Sequence, residues 1–384
     1  MRYNINPKNG EKISALAYGC MRLPGDEKLA DRLIARAIEA GVNYMDTAYI
    51  YSGNEALLGR ILAKDGRRDK VRVATKLPHF QVKKRADIDR IFATQLERLR
   101  TDRVDYYLMH MLSDPADWKR LCELGLLDWA EQEQKRGRIV NLGFSFHGRQ
   151  QAFIDLVDAH DWAFAMIQYN YLDERNQAGA AGLKHAAAKG LPVMVMEPLR
   201  GGKLAKPPKE AAELFARANA DRSPAEWALR WVWNHPETLT ALSGMNTEAI
   251  LEENLRVASQ AEPGALSAAD LALIEQAKAI IQGSIRVPCT ACGYCMPCPL
   301  GVDIPACFSA YNDMGVEGRL QARVQYALRA GNHNASKCTR CGICEPLCPQ
   351  AIPIREALAE ARKALEGFPY RPARFVVKKI MRMT

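Results

Sequence analysis

The chain is 384 residues long, 48% hydrophobic and 25% charged, which predicts one large globular domain with a smaller companion. Its 53 Lys+Arg against 44 Asp+Glu give a formal charge of +9, but no nucleic-acid-binding signature accompanies the charge, so nucleic acid is not expected as a partner. No apolar run of about 18 residues is present, and the polar stretch Met1–Lys12 has no signal-peptide core, so neither a transmembrane segment nor a secretory leader is expected.

From Ile13 to about Pro236, short apolar runs alternate with longer amphipathic ones. Ser14–Gly19, Val42–Asp46, Val71–Thr75, Val104–Met109, Ile139–Phe144, Ala165–Gln168, Pro192–Met196 and Leu239–Ser243 read as strands. Lys28–Ala40, Ala86–Arg100, Trp118–Arg136, Gln150–Ala159, Ala178–Lys189 and Pro224–Asn234 read as helices, several stopping at a glycine such as Gly41, Gly137 or Gly190. Eight strands separated by helices predict an α/β protein of the (β/α)8 TIM-barrel class rather than an open sheet. Residues 246–282 predict a helix, a break at Pro263-Gly264 and another helix. A boundary near Gly283-Ser284 then separates a barrel (1–283) from a C-terminal domain (284–384).

In such a barrel the C-terminal strand ends share one rim, and that rim carries the active site. The second run closes on Asp46, and Tyr51 follows five residues later, ahead of the helix-start signal Ser52-Gly53-Asn54. The third run leads to Lys76, the fourth to His110, the fifth to Ser145, the sixth to Gln168 and Asn170, the seventh to Glu197 and the eighth to Ser243-Gly244. Taken singly, Lys76 reads as a solvated strand end and His110 as a satisfied core histidine. Four such groups from three consecutive strand ends read instead as a catalytic constellation.

The segments 41–48 (Gly-Val-Asn-Tyr-Met-Asp-Thr-Ala), 74–76 (Ala-Thr-Lys), 105–110 (Asp-Tyr-Tyr-Leu-Met-His) and 198–202 (Pro-Leu-Arg-Gly-Gly) closely resemble the aldo/keto reductases, in that family's order from about Ile13 to Asn254. The resemblance implies an NAD(P)-dependent oxidoreductase acting on a small carbonyl or alcohol, with Asp46, Tyr51, Lys76 and His110 as its catalytic tetrad. The chemistry suits these types. A tyrosine near pKa 10 is a poor acid at neutral pH but a usable one beside a cation that favours its phenolate. Lys76 would supply that cation, Asp46 would hold Lys76, and His110 would donate to the carbonyl oxygen.

The resemblance also implies that Ser145, Gln168 and Asn170 meet the nicotinamide carboxamide, and that Leu199, Gly201 and Gly202 bring backbone amides to the pyrophosphate. Ser243 and Gly244, at the last strand end, join this cofactor set, and Glu253-Asn254 match a pair that holds the adenine. The sequence departs from the family at Phe146, where an asparagine is usual, and at Met196, where an aromatic ring usually stacks on the nicotinamide. Ile250 stands where an arginine grips the 2′-phosphate of NADP(H), which leans toward NAD(H), although Arg256 is a substitute cation.

Eight of the 11 cysteines form an internal repeat. Cys289, Cys292, Cys295 and Cys298-Pro299 are answered by Cys338, Cys341, Cys344 and Cys348-Pro349, each motif trailed by Ile-Pro. Triplets ending in Cys-Pro point to [4Fe–4S] clusters rather than zinc, and clustered cysteines of this kind belong to a reducing, cytoplasmic setting. The tail resembles helical dicluster ferredoxin modules fused to some aldo/keto reductases. That likeness implies two [4Fe–4S] clusters for electron transfer, one on Cys289, Cys292, Cys295 and Cys348, the other on Cys338, Cys341, Cys344 and Cys298. Cys20, Cys122 and Cys307 lack partners at ligand spacing and read as small core residues.

Residues 289–384 carry 13 Lys+Arg against 7 Asp+Glu, +6 of the total, but each cubane of core charge 2+ on four thiolates contributes −2 and lowers the chain to +5. Residues 371–384 hold five basic residues and no acid, a solvated tail or a docking segment for an acidic electron-transfer protein or anionic lipid. Beside the oxidoreductase reading stand two others: a redox-sensing or electron-transfer binding protein with an idle barrel, and clusters that serve only as structural staples.

Overall fold

The computed structural model describes residues 1–315, 318–368 and 370. Its packing groups them into two compact units, one of residues 1–199 and 225–271, the other of 200–224 and the chain from 272 onward. The helix Ala268–Ser284 spans that division, so the boundary expected at 283–284 falls at its end.

In the first unit, β1 (Tyr3–Ile5) and β2 (Lys12–Ser14) form an antiparallel hairpin. Then β3 (Leu16–Gly19), β4 (Tyr44–Asp46), β5 (Arg72–Leu77), β6 (Val104–Leu112), β7 (Ile139–Phe146), β8 (Phe164–Gln168), β9 (Val193–Met196) and β10 (Thr238–Ser243) close into a parallel barrel in sequence order, β10 pairing with β3. All eight expected strands are present. Their near-continuous burial, as in β6, is what a parallel sheet covered on both faces requires. The barrel interior is filled by Tyr44, Tyr106, Phe164, Met166 and Met194 among others. Tyr106 sits edge-on to Tyr44 and Phe164 at 5.0 and 4.9 Å. The barrel is thus a packed core, and chemistry is confined to its rim.

The hairpin was absent from the sequence reading. It brings Glu11 to the Tyr106 hydroxyl, which donates to it at 2.6 Å. The helix expected over Trp118–Arg136 is two, Pro115–Glu123 and Leu126–Lys135, because Gly125 between them takes the left-handed φ of 78°. The residues after Tyr51 do start a helix, Asn54–Leu62, and Asn54 anchors it by donating to the carbonyls of Cys20 and Met21. A Cβ on Gly59 would stand 2.3 Å from the Arg98 carbonyl oxygen, so only glycine allows this helix to lie against Arg85–Leu99.

The second unit is mainly helical. Ile304–Asp313, Arg319–Arg329 and Ile354–Leu365 pack around Phe308, Tyr326, Ile354, Leu358 and Leu365. Each cysteine motif feeds one helix through its Ile-Pro: Ile304 opens the first of these helices, and Ile352-Pro353 precedes the last. Cys307 is buried in this core and Cys20 in the barrel, as expected, whereas Cys122 is only half-buried.

Candidate active site and cysteine-rich lobe

The C-terminal ends of β4, β5 and β6 bring Asp46, Lys76 and His110 together, with Tyr51 on the loop after β4. Lys76 Nζ donates to Asp46 Oδ1 at 2.5 Å and to the Thr47 carbonyl at 2.7 Å. Both charged groups are almost wholly buried. Burial raises the Asp46 carboxyl above its ordinary value while the Lys76 ammonium opposes that rise. The ammonium lies 5.3 Å from the centre of the Tyr51 ring, and that ring meets His110 edge-on at 5.9 Å. Burial, reinforced by the Lys76 charge, holds His110 well below the usual imidazole range, so its ring is neutral at physiological pH.

A buried polar group steadies this set from behind. Glu55 accepts from Thr75 Oγ1 at 2.6 Å and from Arg98 at 3.1 Å, while Gln95 Nε2 donates to the Lys76 carbonyl at 3.0 Å. β6 runs two residues past His110 and carries Met111 at a left-handed φ of 61°. Ser145 Oγ accepts the Met111 N–H at 2.8 Å, which offsets part of the strain of that backbone and leaves the serine proton to donate elsewhere.

Beyond β7 and β8 lies a chain of hydrogen bonds whose direction is imposed by one carboxylate. Asp173 only accepts, so Gln168 and Asn170 both turn their amide nitrogens to Oδ2, at 2.8 and 3.1 Å. Gln168 Oε1 therefore faces Gln177, which donates to it at 2.8 Å. Gln177 Oε1 in turn faces His147 Nδ1 at 3.0 Å, so Nδ1 carries the proton. Burial pushes His147 down to about 4, which leaves its Nε2 unprotonated at neutral pH. The sequence reading named Gln168 and Asn170 but missed Asp173, Gln177 and His147. The available signal was His147 two residues past Ser145.

The remaining expected contacts divide. Phe146 is fully buried with its ring 5.1 Å from Phe153, so the position of the missing asparagine serves the core. Met196 packs against the barrel core. Asn254 is buried and donates to Ser243 Oγ at 2.8 Å, tying the helix Glu248–Ser259 to the end of β10. Ile250 is on the exposed side of that helix, and Glu253 is half-buried. Arg256, the substitute cation, is held by the buried Glu226 at 2.6 Å. In the second unit, Gly201 and Gly202 take left-handed φ values of 68° and 93°, conformations that aim successive amides together.

None of the eight motif cysteines is joined in a disulfide. Burial pushes Cys295 up to about 12, and the neighbouring thiols of Cys292, Cys289 and Cys348 add to the shift. Cys344 is raised by burial and by Cys338 and Cys341. The fold therefore gathers Cys348 with the first motif. Among the described residues no three His, Cys, Asp or Glu side chains converge on a single-ion site. A cubane asks for something wider, four thiolates spread around a multi-atom core, and Cys289, Cys292 and Cys348 are near enough to Cys295 to act on its thiol.

Residues 15–279 match the model of the aldo/keto reductase family, about two thirds of the chain. The protein belongs to that family. Residues 288–353 of this reductase match a 4Fe-4S dicluster domain, whose eight cysteines imply two clusters. Among curated relatives, a 6-dehydroglucose reductase of Novosphingobium aromaticivorans is 28% identical over 274 residues, 64% of this chain and 86% of that one. An aldo-keto reductase of Mycolicibacterium vanbaalenii is 31% identical over 209 residues, 53% of this chain and 68% of its own. A solved holo aldo-keto reductase of Bacillus halodurans superposes with a TM-score of 0.61 at 25% identity, covering 72% of this chain and 96% of that one. The reductase is an oxidoreductase of a typically NAD(P)H-dependent family, with a closed eight-stranded barrel followed by a mainly helical cysteine-rich region. No helix among its described residues is long and apolar enough to cross a membrane.

Proposed function

We propose that the barrel interconverts a small carbonyl and its alcohol with NAD(H) or NADP(H), and that Asp46, Tyr51, Lys76 and His110 carry the reaction. The observation that supports this reading most is the convergence of a buried Lys76–Asp46 pair on the tyrosine ring beside a neutral histidine. The nicotinamide, when bound, supplies a hydride to the carbonyl carbon. Tyr51 delivers its hydroxyl proton to the carbonyl oxygen, and the Lys76 ammonium stabilises the phenolate charge left behind. Asp46 keeps Lys76 in place without neutralising it outright. His110, being neutral, donates an N–H to the same oxygen and orients it. Ser145, Gln168 and Asn170 orient the carboxamide. Met196, Leu199, Gly201, Gly202, Ser243, Gly244, Glu253 and Asn254 complete the cofactor contacts.

The lobe would hold two [4Fe–4S] clusters, the first on Cys289, Cys292, Cys295 and Cys348, the second on Cys338, Cys341, Cys344 and Cys298. Each passes one electron at a time, whereas a hydride carries two, and no flavin signature stands between them in the sequence. The chemistry the clusters would supply is accordingly electron exchange with an external acidic carrier, and the barrel reduces its carbonyl independently. Replacing Cys292 and Cys341 with serine tests this. NADH-dependent carbonyl reduction should survive cluster loss, and its disappearance from a barrel still folded by circular dichroism would overturn the independence.

A further inference from the structure

The charge of this chain is concentrated. Residues 318–344 carry Arg319, Arg323, Arg329, Lys337 and Arg340 with no Asp or Glu, and residues 367–384 carry five more basic residues, again with no acid. The rest of the chain has 43 Lys+Arg against 44 Asp+Glu. The whole formal excess therefore resides in these two stretches, and a cluster on Cys338, Cys341 and Cys344 would offset only part of it.

The helix Arg319–Arg329 within the first stretch has an inverted pattern. Ala322, Tyr326 and Ala330 face the lobe's core, fully buried. Leu320, Val324 and Leu328, displaced from them by two residues and so by about 200° around the helix, are 65%, 40% and 53% exposed. The small residues point inward and the bulky aliphatic ones outward, opposite to what a helix solvated on that side would show. Arg323 lies about 100° around the helix from Val324, on the side of Tyr326. Its guanidinium donates to the carbonyls of Ala364 and Phe368, which holds beside this helix a phenylalanine that is 84% exposed. Of the nearby acids, Asp313 pairs with Arg329 and Glu366 accepts from the Tyr326 hydroxyl and the Ser336 amide. Neither Arg319 nor Arg323 has a carboxylate partner among the described residues.

We infer that this outward face of Arg319–Arg329, with Phe368, seats the iron–sulfur lobe on an anionic lipid surface. Aliphatic and aromatic side chains near arginines that have no carboxylate partner are the composition of an interfacial segment, whose apolar groups enter the acyl boundary while the cations meet phosphate. Residues 371–384 lie outside the described residues, but their sequence repeats the composition, five cations set among Phe375, Val376, Val377, Ile380, Met381 and Met383. An acidic protein would satisfy the arginines but would leave unexplained the exposed aliphatic side chains of Leu320, Val324 and Leu328.

The test is co-sedimentation of the full-length, cluster-loaded protein with phosphatidylcholine vesicles, with and without phosphatidylglycerol. Binding should require the anionic lipid and weaken with added salt. The double variant Leu320→Gln/Leu328→Gln, whose sites are exposed, should keep its iron content and circular dichroism while losing at least about tenfold in vesicle affinity. Equal sedimentation with and without phosphatidylglycerol, or no sedimentation at all, would overturn the inference. So would unchanged binding by the double variant, which would assign any affinity to the C-terminal residues alone. A concentration-dependent dimer that the double variant abolishes, with no vesicle binding by either, would instead make this face an interface between copies.

Discussion

Lys76 Nζ stands 5.3 Å from the centre of the Tyr51 ring, with its charge anchored by Asp46 on the other side. If the pair works as proposed, Tyr51→Phe should abolish carbonyl reduction while leaving NADH affinity nearly intact, since the ring remains and only the proton is gone. Lys76→Met should lose at least about a hundredfold in kcat, the usual range for removing one element of acid catalysis, and should leave Asp46 buried without its cation. Steady-state kinetics beside fluorescence titration of NADH separate the two effects. Wild-type turnover by the phenylalanine variant would remove Tyr51 from the mechanism.

Cofactor choice turns on Ile250 and Arg256. With the first apolar and the second engaged by Glu226 at 2.6 Å, no cation from these two positions is left for a 2′-phosphate. NADH should bind at least as tightly as NADPH. A fluorescence titration in which NADPH binds tenfold tighter, about 1.4 kcal/mol, would defeat this expectation.

Asp173 dictates which way the amides of Gln168, Gln177 and Asn170 face. Asp173→Asn replaces an obligate acceptor with a group that can also donate, so the direction is no longer imposed. NADH affinity should fall by about tenfold, with little change in kcat at saturation. The 15N spectrum of His147 gives an independent reading. It should show a protonated Nδ1 and a bare Nε2 in the wild type and a mixture in the variant; the opposite tautomer in the wild type would refute the chain of bonds.

The same histidine makes the barrel acid-sensitive. Its folded pKa is depressed to about 4 from an ordinary 6.5, so between those values the unfolded chain binds a proton that the folded one does not. Stability should therefore be complete above pH 6.5 and decline as pH falls toward 4, by at most about 3 kcal/mol from this group. Denaturant melts across that window should show a shallower decline for His147→Gln than for wild type. Parallel slopes would mean that His147 titrates alike in both states.

The proposed ligand exchange between the cysteine motifs predicts an asymmetry. Cys348 lies with Cys289, Cys292 and Cys295 despite belonging to the second motif. Cys348→Ser should perturb the same cluster signal in electron paramagnetic resonance as Cys289→Ser, and leave the signal that Cys341→Ser removes. If Cys348→Ser and Cys341→Ser altered one common signal, each motif would hold its own cluster.

How much of this could be read from the chain varied with the physics involved. The eight barrel strands are legible because each is buried on both faces and so apolar throughout, and the rim groups because they sit at the ends of those runs. The hairpin Tyr3–Ile5/Lys12–Ser14 escapes because three-residue strands are too short for an alternating pattern. The break at Gly125 escapes because Trp118, Leu121, Leu126 and Trp129 keep burying side chains on both sides of it. Asp173, Gln177 and His147 are ordinary loop-type residues in sequence. Only folding turns them into a directed set, and no local pattern encodes that. The inverted helix Arg319–Arg329 is hidden for the same reason, since a sequence does not say which of two apolar stripes faces inward.

The placement of Cys348 has a consequence for biosynthesis. When the ribosome has released the first motif, three of that cluster's proposed ligands are available and the fourth has not yet been made. The full thiolate set exists only after the spacer and the second motif have emerged, so a chain stalled between Cys298 and Cys348 cannot complete its first cluster. If Cys348 supplies the fourth ligand as proposed, completion of the first cluster waits until the second motif has been made, when the preceding barrel sequence has already left the exit tunnel.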